Sequence, residues 1–259
     1  MVDKPVAQYA VEEAAAAGVE EVIFVTGQAK RAIEDHFDKN FELEYLLQQK
    51  GKTELLAKVR EISDIVQFAY VRQKEMLGLG HAILQARNLV NDEPFAVLLP
   101  DDVYTGSVPA IGELIEVHKK TGTPVIGVKE VPIDAVSRYG IVAGEEIESG
   151  LLKMTEFVEK PARDKAPSRY AAMGRYVFDR KIFDHLDGLE PGAGGEIQIT
   201  DAVREYMKDN AIHAALMEAS HHDAGEVQGY LKTIVDLALE RDDLRSEFAA
   251  WLKERLKAE

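Results

Sequence analysis

VRQKEMLGLGHA, residues 71–82, carries a strand-like ending into a glycine-bearing loop and then into helical spacing. Downstream, VLLPDD at 97–102 is an apolar run that stops abruptly in two carboxylates. Open α/β sheets bind ligands beyond the carboxyl ends of their strands, and a carboxylate placed there holds a divalent metal against phosphate oxygens. Together the two segments read as a nucleotide site. Around them, strand-like runs at 65–72, 95–99 and 124–131 alternate with helix-like runs at 80–90 and 108–120, the pattern of a largely parallel sheet covered by helices.

The flanks extend the pattern. Small and apolar residues at helical spacing fill 5–17 and stop at Gly18; a β-branched and aromatic run follows at 20–27, and helical spacing resumes over 29–37. The leucine-rich, charged stretch 41–61 predicts one or two amphipathic helices. After Pro132 short runs at 140–143, 151–158 and 170–178 are separated by Gly, Pro and acidic turns, so this part of the sheet is expected to be mixed or antiparallel. Helices are expected at 196–208, 226–241 and 244–257, and a strand near 212–217.

Composition narrows the function. The chain has 259 residues, 46% of them hydrophobic, enough for one large α/β domain. Its 46 acidic against 31 basic residues leave a formal charge of −15, which argues against a nucleic-acid polymer or an anionic membrane as partner. With no Cys there is no disulfide, thiolate zinc site or cysteine nucleophile. No run approaches membrane-spanning length and residues 1–15 lack a signal-peptide pattern, so a cytoplasmic location is expected.

Several short constellations suggest chemistry. Gln73 closes a strand, and Gly78 and Gly80 open a helix; glycine lets a ligand approach the backbone, and a glutamine amide pairs with the donor-and-acceptor edge of a base. An ordinary strand-to-helix turn would look the same. Asp101 and Asp102 are either turn residues or a metal-side pair at the end of a central strand. In VEKP (158–161), Glu159 and Lys160 offer a carboxylate for sugar hydroxyls and an ammonium for a phosphate, or a solvated charge pair. GAGGEIQITDA (192–202) feeds a helix in which Glu196 or Thr200 is placed to cap and Asp201 to complement the dipole. In HHDAG (221–225), adjacent histidines suit a zinc site poorly, whereas Asp223 beside Gly225 suits a second carboxylate for magnesium.

Taken in order, VDKP (2–5), EDHFD (34–38), VRQKEMLGLGHA, LLPDD, RYGIV (138–142), VEKP, GRYVF (174–178), GAGGEIQITDA and HDAG (222–225) resemble the bacterial UTP–glucose-1-phosphate uridylyltransferases, or UDP-glucose pyrophosphorylases, over essentially the whole chain. The resemblance implies a Rossmann-like three-layer α/β/α sandwich with a mixed, mostly parallel central sheet. It implies a single domain, 1–259, with a nucleotide-binding part (1–132), a sugar-phosphate part (133–225) and C-terminal helices (226–259). The implied reaction is Mg2+-dependent: a phosphate oxygen of glucose 1-phosphate attacks the α-phosphorus of UTP, giving UDP-glucose and pyrophosphate. By resemblance Gln73 and Gly78 contact the uracil, Asp101 is the principal metal carboxylate and Asp223 the second. Gly140, Glu159 and Gly174 surround the glucose, Lys160 faces the sugar phosphate, and Glu196 falls near the sugar pocket. A homodimer or homotetramer is also implied.

Family members usually begin with a first strand, a glycine-rich GxGTRxLPxTK loop and PKEMLP before the equivalent of VDKP. Here Met1 directly precedes Val2-Asp3-Lys4-Pro5, so the expectation is a sheet whose first strand is not among these residues. HDCG is replaced by HDAG, and the PSN turn by Pro167-Ser168-Arg169. Two other readings remain open at this point: a related nucleotidylyltransferase with another base or sugar, and a non-catalytic UDP-sugar-binding or regulatory subunit.

Overall fold

The structure, a computed structural model, describes residues 1–257. Pro5 precedes α1 (Val6–Ala16), which stops before Gly18 in the left-handed region. β1 (Glu21–Thr26) and α2 (Arg31–Phe37) follow. The leucine-rich stretch is two helices, α3 (Phe41–Gln49) and α4 (Thr53–Ser63), parted at Gly51, whose φ of 64° favours glycine. After β2 (Gln67–Arg72), α5 (Leu79–Gln85) is shorter than its spacing predicts. Beyond Gln85 the N–H groups of Ala86 and Arg87 turn to the carbonyls of Ile83 and Leu84, three residues back, and the helix tightens into turns.

β3 (Phe95–Leu98), β4 (Asp102–Thr105), α6 (Ala110–Thr121) and β5 (Val125–Glu130) come next. β6 (Gly140–Glu148) and β7 (Leu151–Glu159) form a hairpin turned at Gly150. The remainder is β8 (Tyr170–Phe178), α7 (Ile182–Leu186), α8 (Ile199–Tyr206), β9 (His213–Leu216), β10 (Ser220–Asp223), α9 (Val227–Glu240) and α10 (Asp242–Lys257).

The main sheet has the order β3-β8-β5-β9-β7-β6. β3 and β5 are both antiparallel to β8, and β5 is parallel to β9, so β3, β5 and β9 share one direction. The expected α/β class with a mixed sheet is what is found. The parallel character rests on those three strands and on β1–β2. Most ladders of the main sheet are antiparallel, because β8 inserts between β3 and β5 and a tight hairpin joins β6 to β7. Ile141 and Val142 of β6 also pair with Ala171 and Tyr170 of β8, which curls the sheet back on itself.

β1 and β2 form a separate parallel pair, and β4 and β10 an antiparallel ribbon. Among the described residues, the side of β1 away from β2 and the side of β3 away from β8 carry no ladder. Period-two alternation along β8 feeds two cores. Ala172, Tyr176 and Phe178 pack with Ile83, Phe183 and Val203; Ala171, Met173 and Val177 pack with Ile111 and Leu114 of α6. A smaller core of Val11, Phe37 and Val66, edged by Phe24 and Phe68, lies at β1–β2. Leu237 of α9 is buried, whereas Trp251 of α10 is half exposed. No described helix is long and apolar enough to cross a membrane.

Candidate active site

The structure gathers the predicted residues into two clusters. In the first, Gln73 follows β2, anchored by its N–H on the Thr26 carbonyl (2.9 Å). Its side-chain Nε2 donates to the Gly78 carbonyl (3.1 Å) and lies 3.1 Å from His81 Nδ1. Gly78 has φ 94° and ψ 178°, a backbone essentially reserved for glycine. A β-carbon there would stand 2.8 Å from Glu196 Cβ and 3.0 Å from the Ile197 carbonyl. Backbone bonds from Gly80 to Ile197 (2.9 Å) and from Ile197 to Leu77 (2.7 Å) lock the two segments. Glu196 therefore sits against the Gly78 loop, with its carboxylate taken by Gln198 (2.7 Å).

The same segment continues into α8 and reaches Glu159 and Gly140. Neither Glu196 nor Thr200 caps the helix: the N-cap is Gln198, without a side-chain bond, and Thr200 lies inside it. The Thr200 hydroxyl, fully buried, donates to Glu159 Oε2 (2.7 Å). Gly140 is the ladder partner of Glu159, and a β-carbon on it would meet Phe157 Cε2 at 2.7 Å and Glu159 Oε2 at 3.2 Å. Lys160 has φ 44°, a costly left-handed backbone for a non-glycine, held by its N–H on the Tyr139 carbonyl (3.0 Å). Its ammonium is exposed, 3.6 Å from Glu159 Oε1.

The second cluster is built by the β4–β10 ribbon, whose register sets Asp223 opposite Asp102. Asp101 lies in the turn just before β4. A β-carbon on Gly225 would stand 3.2 Å from Asp101 Oδ2 and 3.3 Å from Asp223 Oδ1, so both carboxylates converge on one bare backbone position. Burial pushes the Asp101 carboxyl above the usual carboxylate range, and the charges of Asp102 and Asp223 push the same way. His221 and His222 point to opposite faces of β10, as successive strand residues must. His221 Nε2 lies 2.6 Å from Asp102 Oδ1, and His222 Nε2 lies 2.9 Å from the Thr105 hydroxyl. Gly174, φ 63°, has no room for a side chain, since a β-carbon would lie 2.1 Å from Asp102 Oδ2; it abuts the carboxylate ribbon.

The donor set fits a hard divalent cation. Two convergent carboxylates in a partly exposed turn repel each other, and a cation relieves that repulsion. No group of three or more His, Cys, Asp or Glu able to hold a metal occurs among the described residues. Two convergent carboxylates are within the one or two that a divalent ion such as magnesium takes from protein, with phosphate oxygens and water completing its shell. Arg138 supplies the local counter-charge, 3.1 Å from Asp223 Oδ2 and 2.9 Å from Glu226 Oε1. With Tyr139, His221, Asp223 and Gly229 it borders a cleft of about 360 Å³.

Arg138, Thr200 and His221 were not singled out from sequence as site residues. Each nevertheless lay in a quoted motif, Arg138 in RYGIV, Thr200 in GAGGEIQITDA and His221 in HHDAG, so the motifs themselves were the available signal.

Comparison with known proteins identifies the family. The Nucleotidyl transferase family profile matches residues 1–240. The UTP–glucose-1-phosphate uridylyltransferase YngB of Bacillus subtilis is 45% identical over all of this chain and 87% of its own length. A UTP–glucose-1-phosphate uridylyltransferase of Staphylococcus saprophyticus is 48% identical over 98% of this chain and 88% of its own. Among solved structures, a UTP-bound UDP-glucose pyrophosphorylase of Acinetobacter baumannii superposes with a TM-score of 0.88 at 38% identity, covering 98% of this chain and 89% of that one. A UDP-glucose pyrophosphorylase complexed with UDP-glucose gives a TM-score of 0.84 at 39% identity, over 93% and 89% of the two chains. The chain belongs to the nucleotidyl transferase family, and within it to the UTP–glucose-1-phosphate uridylyltransferases.

Proposed function

We propose that this chain transfers the uridylyl group of UTP to glucose 1-phosphate, forming UDP-glucose and releasing pyrophosphate. The observation that carries the reading is the convergence of Asp101 and Asp223 on Gly225; the reading assigns Gln73 and Gly78 to the other rim of the same crevice. In this reading residues 1–132 serve the nucleotide and 133–225 the sugar phosphate. The Gln73 amide and the bare Gly78 backbone take the uracil edge and face. Glu159, oriented by Thr200, accepts from glucose hydroxyls beside Gly140, with Glu196 and Gly174 bordering the two ends of the crevice. Lys160 orients the attacking phosphate and offsets its charge.

Asp101 and Asp223 would hold Mg2+, which when bound neutralises charge developing on the triphosphate. Such a transfer needs in-line positioning and charge neutralisation rather than a protein nucleophile. The test is pyrophosphate release from UTP and glucose 1-phosphate with Mg2+, with dTTP and other sugar 1-phosphates as competitors. A folded protein that turns over none of them removes the enzymatic reading; preference for dTTP or another sugar moves the chain to a different specificity.

A further inference from the structure

Arg175 is the largest fully buried side chain of the described residues, and nothing in the proposed reaction uses it. It lies on β8 between Met173 and Val177, pointing into the α6-side core rather than toward ligand. Its fork is saturated. Nε and Nη2 donate to the two oxygens of Glu13 (2.9 and 2.7 Å), Nη1 to the carbonyls of Leu99 (2.9 Å) and Gly174 (3.0 Å), and Nη2 also to the carbonyl of Asp102 (2.7 Å). That employs all of its N–H donors. The guanidinium also lies over the Tyr104 ring, 4.6 Å from its centre. Glu13 is fixed in turn, since its Oε1 accepts from the Ile111 N–H (2.8 Å) in the first turn of α6.

Two of the three carbonyls that Arg175 grips, those of Leu99 and Asp102, bracket Pro100 and Asp101. A buried ion pair contributes little net stability over a well-packed apolar pair, so stability alone is a weak reason for this arrangement. What it supplies is geometry: a rigid planar fork fixes both ends of a short turn from behind. We propose that the Glu13–Arg175 pair is a positioning device for the metal-side turn, setting the Asp101 carboxylate where it meets Asp223. The inference rests on the reading of Asp101 as the metal carboxylate.

The test compares Arg175→Lys with Ile182→Ala, a cavity-forming change in the opposite core. Lysine keeps the charge but cannot grip two carbonyls and a carboxylate in a fixed plane. Backbone amide hydrogen exchange is measured on the metal-free proteins, and Mn2+ binding is followed by electron paramagnetic resonance with UDP-glucose present. In Arg175→Lys the amides of Leu99, Asp101, Asp102 and Val103 exchange faster while the other core is unchanged, and half-saturating Mn2+ rises about 10- to 100-fold, the range for losing a group that orients a ligand. Ile182→Ala lowers the thermal midpoint and changes neither readout.

Should Arg175→Lys fail to fold, Glu13→Gln keeps the shape, weakens the hold on Arg175, and shifts Mn2+ binding in the same direction by less. Wild-type binding that is matched by Arg175→Lys, or by Glu13→Gln where that is the variant that folds, overturns the inference while leaving the metal assignment intact. A wild-type protein that binds no Mn2+ overturns the metal assignment and the inference with it.

Discussion

The two rims of the crevice are built on opposite physical principles. On the carboxylate rim, charges are crowded together: Asp101 lies just before a short two-stranded ribbon that sets Asp102 opposite Asp223, and Arg138 supplies the counter-charge. On the rim proposed for uracil and sugar, position is set by missing side chains: Gly78 leaves room for Glu196 and Ile197, and Gly140 for Phe157 and Glu159. The first rim is held by electrostatics and responds to cations. The second is held by close packing and responds to methyl groups. Substitutions on the two rims should therefore fail in different ways.

Asp101→Asn breaks the comparison most sharply. Pyrophosphate release should fall by about 10³-fold or more, on the scale of losing a main electrostatic element of phosphoryl transfer. In chelator, however, the same variant should melt above wild type by roughly 2–4 °C, as expected for relief of about 1 kcal/mol of repulsion in a chain of this size. Added Mg2+ should raise the wild-type midpoint and leave that of Asp101→Asn in place. A variant that is both inactive and less stable would mean that the carboxylate is structural.

Lys160→Met should lower kcat by about 10²-fold with KM for UTP unchanged, in line with loss of one charge aimed at the transition state. Gly140→Ala should cost about 1–3 kcal/mol by overpacking against Phe157, and should raise KM for glucose 1-phosphate while sparing UTP. Chemical denaturation and substrate titrations check it; a changed Mg2+ requirement would erase the distinction between the rims. The mildest effect is expected for Thr200→Val, where loss of one hydrogen bond to Glu159 should raise KM for glucose 1-phosphate about tenfold, near the 1.4 kcal/mol of a strong bond.

The sequence exposed what is local and hid what is distant. Strands such as 20–27, 124–131 and 170–178 announce themselves by β-branched and aromatic runs, and Gly18 marks the end of α1 as expected. Gln73 with Gly78, and Gly140 with Glu159, were each legible as motifs, and the structure sets both pairs in contact. The β4–β10 ribbon was not, because DVYT and SHHD carry no apolar alternation to mark them as strands. Thr200 resembled a cap because serine, threonine and acidic residues favour helix starts whatever else they do. Glu13 lies in a helix of small residues, 162 positions before Arg175, and no local pattern links a charge to a partner at that distance.

That separation has a consequence for biogenesis. β1 and β2, with the small core of Val11, Phe37 and Val66, find their partners within the first third of the chain, so this part can assemble while synthesis continues, although Glu13 of α1 waits for Arg175. β3 and β5 have no such option, since both wait for β8. Long-range pairings of this kind make folding slow and leave strands exposed until their partner is made. Because β8 also carries Arg175, the turn bearing Asp101 acquires its shape only when the chain has been translated well past its midpoint. A nascent chain halted before that strand would hold the lobe of Gln73 and lack the geometry of the carboxylate rim.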